Sequence, residues 1–347
     1  MKFSLFYFDG DGSIATDGLY RLLIDSVRYA DQNGFSSVWT PERHFHAFGG
    51  LYPNPAITSA ALAMITDNVR ICSGSTVVPL HHPVRVAENW SMVDNFSNGR
   101  VGLGVASGWT MDEFILSREP HGARRNLLWR SVEEIRALWR GEILEFEDAS
   151  GRVVETGVLP KPVQEELPIW VACTSIETFM ETARRGFNAL TSLLGENVDD
   201  VAAKISKYRE TLEANGFDPD SRDVSIMVHT FMGDDAEQVK KDVKEPFSAY
   251  LKTHYGLLEN LAKGMGMNVS LDDFTEDDMN SLLEFGVDGF MQGRSLIGTP
   301  DTCNDFVSQL EQAGATEICC LVDFVQDYDS VMKSLPYVKQ LMDNFNS

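Results

Sequence analysis

Short runs of β-branched and aromatic residues alternate with longer stretches of helical periodicity along almost the whole chain, and this alternation leaves few folds open. It marks repeated βα units, whose strands run parallel and are covered by their own crossover helices. Strands are expected at residues 2–8, 37–39, 69–73, 101–105, 168–172, 188–191, 224–231 and 317–322. Eight strands spaced by helices suit a (β/α)8 TIM barrel, an α/β fold, better than an open doubly wound sheet. The helical punctuation agrees. A helix over 18–33 closes at Asn33-Gly34, and one over 83–96 opens on Pro83 and stops at Asn98-Gly99.

Two stretches break the rhythm. Residues 141–156 are polar and glycine-flanked, which predicts a hairpin or long loop before the fifth strand. Residues from about 234 to 298 exceed an ordinary βα connection, so a long insertion after strand seven is expected, on the face where barrels build their sites. No repeat, low-complexity tract or proline-rich linker divides the sequence, and a single domain over 1–347 is expected.

Charge narrows the partners. With 52 acidic against 29 basic side chains, the formal charge is −23. Such a surface repels nucleic acid and anionic membranes alike. No apolar run approaches the roughly 20 residues a bilayer span needs, and Met1 to Tyr7 reads as a first strand rather than a signal peptide. A cytoplasmic location is expected. The five cysteines are odd in number and show no C-x-x-C spacing, which points to buried free thiols.

In a barrel, residues just beyond the C-terminal ends of the strands face the active site. Here they are Thr40-Pro41-Glu42-Arg43-His44-Phe45-His46, Gly74-Ser75-Thr76, Ala106-Ser107-Gly108-Trp109, Cys173-Thr174-Ser175, Thr191-Ser192, His229-Thr230 and Asp323. This set is rich in small hydroxyl residues and poor in paired carboxylates. It suits a bulky planar cofactor approached by backbone better than two-carboxylate hydrolysis. Thr174 and Ser175 stand where a strand passes into a helix, so their hydroxyls resemble an N-cap whose free amides hold a phosphate; caps without any ligand are equally common. His44-Phe45-His46 has metal-ligand spacing, yet strands five and six end in Cys173 and Thr191 where a metal hydrolase needs histidines, so no metal is expected. His81-His82, beside a helix start, read as structural or surface groups.

Five ordered blocks then carry a resemblance: Trp39-Thr40-Pro41-Glu42-Arg43-His44-Phe45 with Tyr52-Pro53-Asn54-Pro55; Val78-Pro79-Leu80-His81-His82-Pro83-Val84-Arg85-Val86-Ala87-Glu88; Ser97-Asn98-Gly99-Arg100; Ile297-Gly298-Thr299-Pro300; and Ala313-Gly314. Together the blocks resemble the bacterial luciferase-like flavin-dependent monooxygenases, and Pro41-Glu42-Arg43-His44-Phe45-His46 with Phe48-Gly49-Gly50-Leu51-Tyr52 looks like the mupirocin-pathway-like subgroup of natural-product biosynthesis. The resemblance implies a (β/α)8 barrel, reduced FMN supplied by a separate flavin reductase, and insertion of one oxygen atom through a flavin 4a-hydroperoxide. The substrate would be a small or carrier-protein-tethered intermediate. By position it implies a non-prolyl cis peptide at Gly74-Ser75 beneath the flavin, phosphate binding at Thr174 and Ser175, and Thr191 and Ser192 close to the flavin. A homodimer is also expected.

Two departures from luciferase proper matter. Arg43 stands where luciferase has its catalytic histidine, and Ser107 stands where it has a flavin-site arginine. A guanidinium stays protonated and is no general base, so Arg43 would stabilise an anion or hold an acidic substrate group, with His44 beside it as the second catalytic residue. The missing cation at Ser107 makes Arg294 a candidate for the phosphate or an anionic substrate. Residues from about Tyr255 to Arg294, with Phe290 able to cover the ring, are expected to form a lid. A deazaflavin-dependent hydride transferase and a non-catalytic flavin-binding protein are the alternatives.

Overall fold

The computed structural model describes residues 1–8, 18–193, 196–253, 289–291 and 293–345. Along the chain run β1 (Lys2–Phe6), α1 (Arg21–Gln32), β2 (Ser37–Thr40), α2 (Pro55–Ala63), β3 (Arg70–Ser73), β4 (Thr76–Val77), α3 (Pro83–Ser97), β5 (Val101–Ala106), α4 (Arg124–Trp139), β6 (Leu144–Glu147), β7 (Val153–Thr156), β8 (Ile169–Ala172), α5 (Ile176–Arg184), β9 (Asn188–Ser192), α6 (Val198–Ala214), β10 (Val224–Met232), α7 (Ala236–Thr253), β11 (Leu296–Gly298), α8 (Pro300–Gln312), β12 (Glu317–Leu321) and α9 (Tyr328–Phe345). The eight strands expected from the sequence are β1, β2, β3, β5, β8, β9, β10 and β12, all parallel within their ladders and separated by helices. This is the (β/α)8 fold class. The expected hairpin is β6 and β7, paired antiparallel with Phe146 opposite Val154.

Contacts group the chain into two compact units. In the unit running from Val27 to Ala172, β2, β3, β5 and β8 pair in that order, with Val38 opposite Ile71 and Leu103 opposite Ile169. These strands are buried and read as near-continuous apolar runs, as parallel strands covered on both faces do. Trp39 and Trp170 meet edge to face at 5.3 Å. One glycine here is forced by packing: a Cβ on Gly104 would lie 2.1 Å from the Ser73 carbonyl oxygen, a backbone atom unable to step aside. Asn98 ends α3 in the left-handed conformation at φ 55°, and Gly99 follows at φ 82°, as the sequence predicts.

The second unit holds β1, the start of α1 and everything from Cys173 onward. In it β10 pairs with β9, β11 and β12, and β12 pairs with β1. All nine residues of β10 are buried. Glu317 brings a carboxylate into this apolar layer and is satisfied there by the hydroxyls of Ser4 and Ser225. Of the expected insertion, α7 and β11 are seen, and residues 254–288 lie outside the described residues. The expected lid falls almost wholly there. No helix among the described residues is long and apolar enough to cross a membrane.

Candidate active site

Pro41 follows β2 directly, and the next three residues turn over the C-terminal end of the strand. Glu42 is only 3% exposed. Its Oε1 accepts from Nε2 of His44 at 3.0 Å and Nε2 of His81 at 2.5 Å, while Oε2 accepts the Val77 amide at 2.7 Å. Burial pushes the Glu42 carboxyl up, but hydrogen bonds from His44 and His81, the positive charge of His81 and the Val77 amide outweigh it. The group is held below the usual carboxylate range. His81, read from sequence as structural or superficial, is therefore tied to the motif after β2. No local pattern marks that link, because the two residues lie 39 positions apart.

Backbone bonds join the same two stretches. The Gly74 amide donates to the Thr40 carbonyl at 2.8 Å, and the Glu42 amide to the Ser75 carbonyl at 3.2 Å. The peptide between Gly74 and Ser75 is cis, at the position the resemblance implies. On either side of this turn sit the hydroxyls of Thr40 and Thr76, both buried and without a hydrogen-bond partner among the described residues. Buried polar atoms of this kind cost stability unless something satisfies them, so the pair suits a bound ligand with polar edges.

Arg43, 5% exposed, lies with its guanidinium carbon 4.9 Å from the ring centres of both Phe48 and Trp109. Aromatic faces attract the cation. Its neighbour His44 donates its backbone amide to buried Glu113 at 3.3 Å. Ser107 is half-buried, one residue beyond Ala106, which pairs with Val77. Arg43, His44, Gly74, Ser75 and Ser107 thus belong to one unit, and Glu42 links the first two to the cis turn. The histidine spacing that suggested a metal does not converge: His46 is exposed, and the His44 ring is engaged with Glu42. Among the described residues no cluster of three or more histidine, cysteine or acidic side chains has metal-binding geometry.

The remaining predicted residues lie in the other unit. Ser175 caps α5, its hydroxyl accepting the Thr178 amide at 3.3 Å, as the N-cap reading expects. Thr174 is exposed, and its carbonyl accepts from Nζ of Lys204 at 2.5 Å; Lys204 also pairs with Glu196. Sequence reasoning missed this lysine, which comes from α6, 30 residues away. Thr191 is 7% exposed, and its hydroxyl donates to the Cys173 carbonyl at 2.7 Å, which ties β9 to the junction before α5. Ser192, half-buried, ends β9. Burial pushes the Cys173 thiol up to about 12, against a hydrogen bond with Thr182, so it is no nucleophile.

Phe290 is buried against His229 on β10, ring centres 5.2 Å apart, and His229 is further enclosed by Phe247, Tyr250 and Phe324. The Phe290 ring is thus engaged in an aromatic cluster. Arg294 is partly exposed, and its amide donates to the Phe290 carbonyl at 3.1 Å.

A protein-family model described as luciferase-like monooxygenase matches residues 1–317. The oxygenase component of the flavin-dependent trigonelline monooxygenase of Acinetobacter baylyi is 24% identical over 323 residues, covering 91% of this chain and 87% of that protein. Among solved structures, a monooxygenase of Streptomyces bottropensis superposes with a TM-score of 0.79 at 22% identity, covering 100% of both chains. The oxygenating constituent of 3,6-diketocamphane monooxygenase from Pseudomonas putida, a type II Baeyer-Villiger enzyme in complex with FMN, superposes with a TM-score of 0.79 at 19% identity, covering 98% of this chain and 97% of that one. At these identities the structural likeness shows a shared fold.

Proposed function

The chain belongs to the luciferase-like monooxygenase family and has a flavin-dependent monooxygenase component among its relatives, and we propose that it is the oxygenase component of a two-component system using FMN. Reduced FMN would come from a separate flavin reductase. The substrate would be a small or carrier-tethered natural-product intermediate, as the motif from Pro41 to Tyr52 suggests. In the overall balance substrate, dioxygen and reduced FMN give oxygenated substrate, water and oxidised FMN. When bound, the flavin supplies the two electrons that activate dioxygen.

The observation that carries this reading is the turn at Gly74-Ser75, where the backbone is bare of bulky side chains and the hydroxyls of Thr40 and Thr76 are buried without partners. A planar ring with carbonyl and amide edges would satisfy them. Ser107, Thr191 and Ser192 are assigned to the same cofactor. For its phosphate we assign Thr174, Ser175 and the first amides of α5, with Lys204 as the cation that Ser107 does not supply. Arg43, permanently charged and 4.9 Å from the ring centres of Phe48 and Trp109, would stabilise negative charge that develops on oxygen or on the substrate. His44 would exchange a proton with the reactants, backed by Glu42. Phe290 and Arg294 are assigned to the substrate side.

A homodimer fits the surface as well. Ile57 on α2, Met64 just past its end, and Met92 and Phe96 on α3 expose 46–71% of their area, apolar side chains of the kind that a second copy covers.

Turnover under isotopically labelled dioxygen tests the reaction class. With the chain, a flavin reductase, FMN and candidate ketones or acyl thioesters, the product should carry one labelled oxygen atom. Product whose new oxygen comes from labelled water, or hydride transfer without dioxygen consumption, would overturn the proposal.

A further inference from the structure

Two imidazoles converge on a single oxygen. His44 Nε2 and His81 Nε2 lie 3.0 and 2.5 Å from Oε1 of Glu42, a side chain with no exposed surface, and the Val77 amide takes the other oxygen. An ionised carboxylate accepts and cannot donate, so both Nε2 atoms must carry their protons. Nδ1 is then the atom of each ring left as an acceptor. Among the described residues, Glu42 is the one hydrogen-bond partner of either ring.

We infer that Glu42 is a positioning residue that fixes His44 and His81 as Nε2–H tautomers through one shared oxygen, so that each ring keeps Nδ1 as its acceptor.

A buried carboxylate is costly unless its oxygens accept hydrogen bonds, and here two imidazole N–H groups and one backbone amide supply them. The rings differ in access: His81 is 30% exposed and His44 only 11%. The other charged or titratable groups around the cluster are the Arg43 guanidinium between its two rings, the Glu113 carboxylate on the His44 amide, and His82, whose ring packs against Phe146. For the proposed monooxygenase, and resting on that reading, the consequence is that His44 meets the reactants through Nδ1.

The tautomers need no flavin to be observed. Nitrogen-15 NMR of histidine-labelled, ligand-free protein should show Nε2–H and bare Nδ1 on both rings at high pH. His81→Gln keeps an N–H donor for Oε1, so His44 should stay Nε2–H. Glu42→Leu removes the shared acceptor and should leave both rings as mixtures of the two tautomers. An Nδ1–H tautomer of His44 at high pH, or tautomers unmoved by Glu42→Leu, would overturn the inference. If Glu42→Leu fails to fold, the wild-type and His81→Gln spectra decide alone. Failure here leaves the monooxygenase reading standing, whereas normal spectra with no binding of FMN would sink that reading and not this one.

Discussion

Lys204 offers a test of the phosphate assignment that a merely structural role would not pass. Its ammonium lies 2.5 Å from the Thr174 carbonyl, pairs with Glu196, and is 16% exposed on a side chain carried by α6. A charge-assisted hydrogen bond contributes about 1.5–3 kcal/mol when one partner is ionised. Partial exposure and the need to leave Glu196 place Lys204 at the low end, near 1.5 kcal/mol, which is roughly a tenfold change in affinity. Lys204→Met keeps the apolar stem and removes the charge. Anaerobic titration at fixed ionic strength should show FMN binding about tenfold weaker, with riboflavin, which has the same ring and no phosphate, unchanged. Glu196→Gln should free the lysine and tighten FMN. Equal weakening of FMN and riboflavin would mean that Lys204 only supports the fold, and an unchanged FMN affinity would refute the assignment outright.

Other expectations follow from named contacts. His44→Ala should raise peroxide release per dioxygen consumed at least several-fold with the fold intact by circular dichroism, and fully coupled turnover would defeat its role. Asp31 accepts the amides of Asp67, Asn68 and Val69 at 2.7–3.1 Å; burial pushes its carboxyl up, but these bonds outweigh it and hold it below its ordinary value. Asp31→Ala should therefore cost about 1–3 kcal/mol in urea unfolding at pH 7. Because the folded-state value is the lower one, the difference from wild type should persist above about pH 4 and shrink as pH falls through the lowered value; a gap that is constant or grows in acid would contradict it. Burial pushes the thiols of Cys173 and Cys320 up to about 12 and that of Cys303 to about 11, so a thiol reagent at pH 8 should label none of them before unfolding. Rapid labelling of native protein would show that the segments carrying them open to solvent.

The fold was legible because its signals are local. Each buried strand is a short apolar run bounded by turn residues, as β12 shows with Glu-Ile-Cys-Cys-Leu, and helix ends such as Asn98-Gly99 carry their own geometry in residue type. The end of β2 was legible for the same reason, since every residue from Thr40 to His44 follows the strand in sequence. Glu42 with His81, and Thr174 with Lys204, were not. Those pairs meet across 39 and 30 residues of chain, and neither His81 nor Lys204 stands in a pattern that separates it from an ordinary surface group. The ring of Phe290 likewise lies 5.0 Å from Phe247 and 5.2 Å from His229, contacts that only the folded chain creates.

The central claim is that this chain receives FMN already reduced and uses it to activate dioxygen in a sheltered site. Anaerobic titration with reduced and with oxidised FMN, followed by mixing with dioxygen, tests it most directly. Reduced FMN should bind the more tightly, and after oxygen is added the oxidised-flavin spectrum should return at least tenfold more slowly than from free reduced FMN. Tighter binding of oxidised FMN, or reoxidation at the rate seen without protein, would contradict the account.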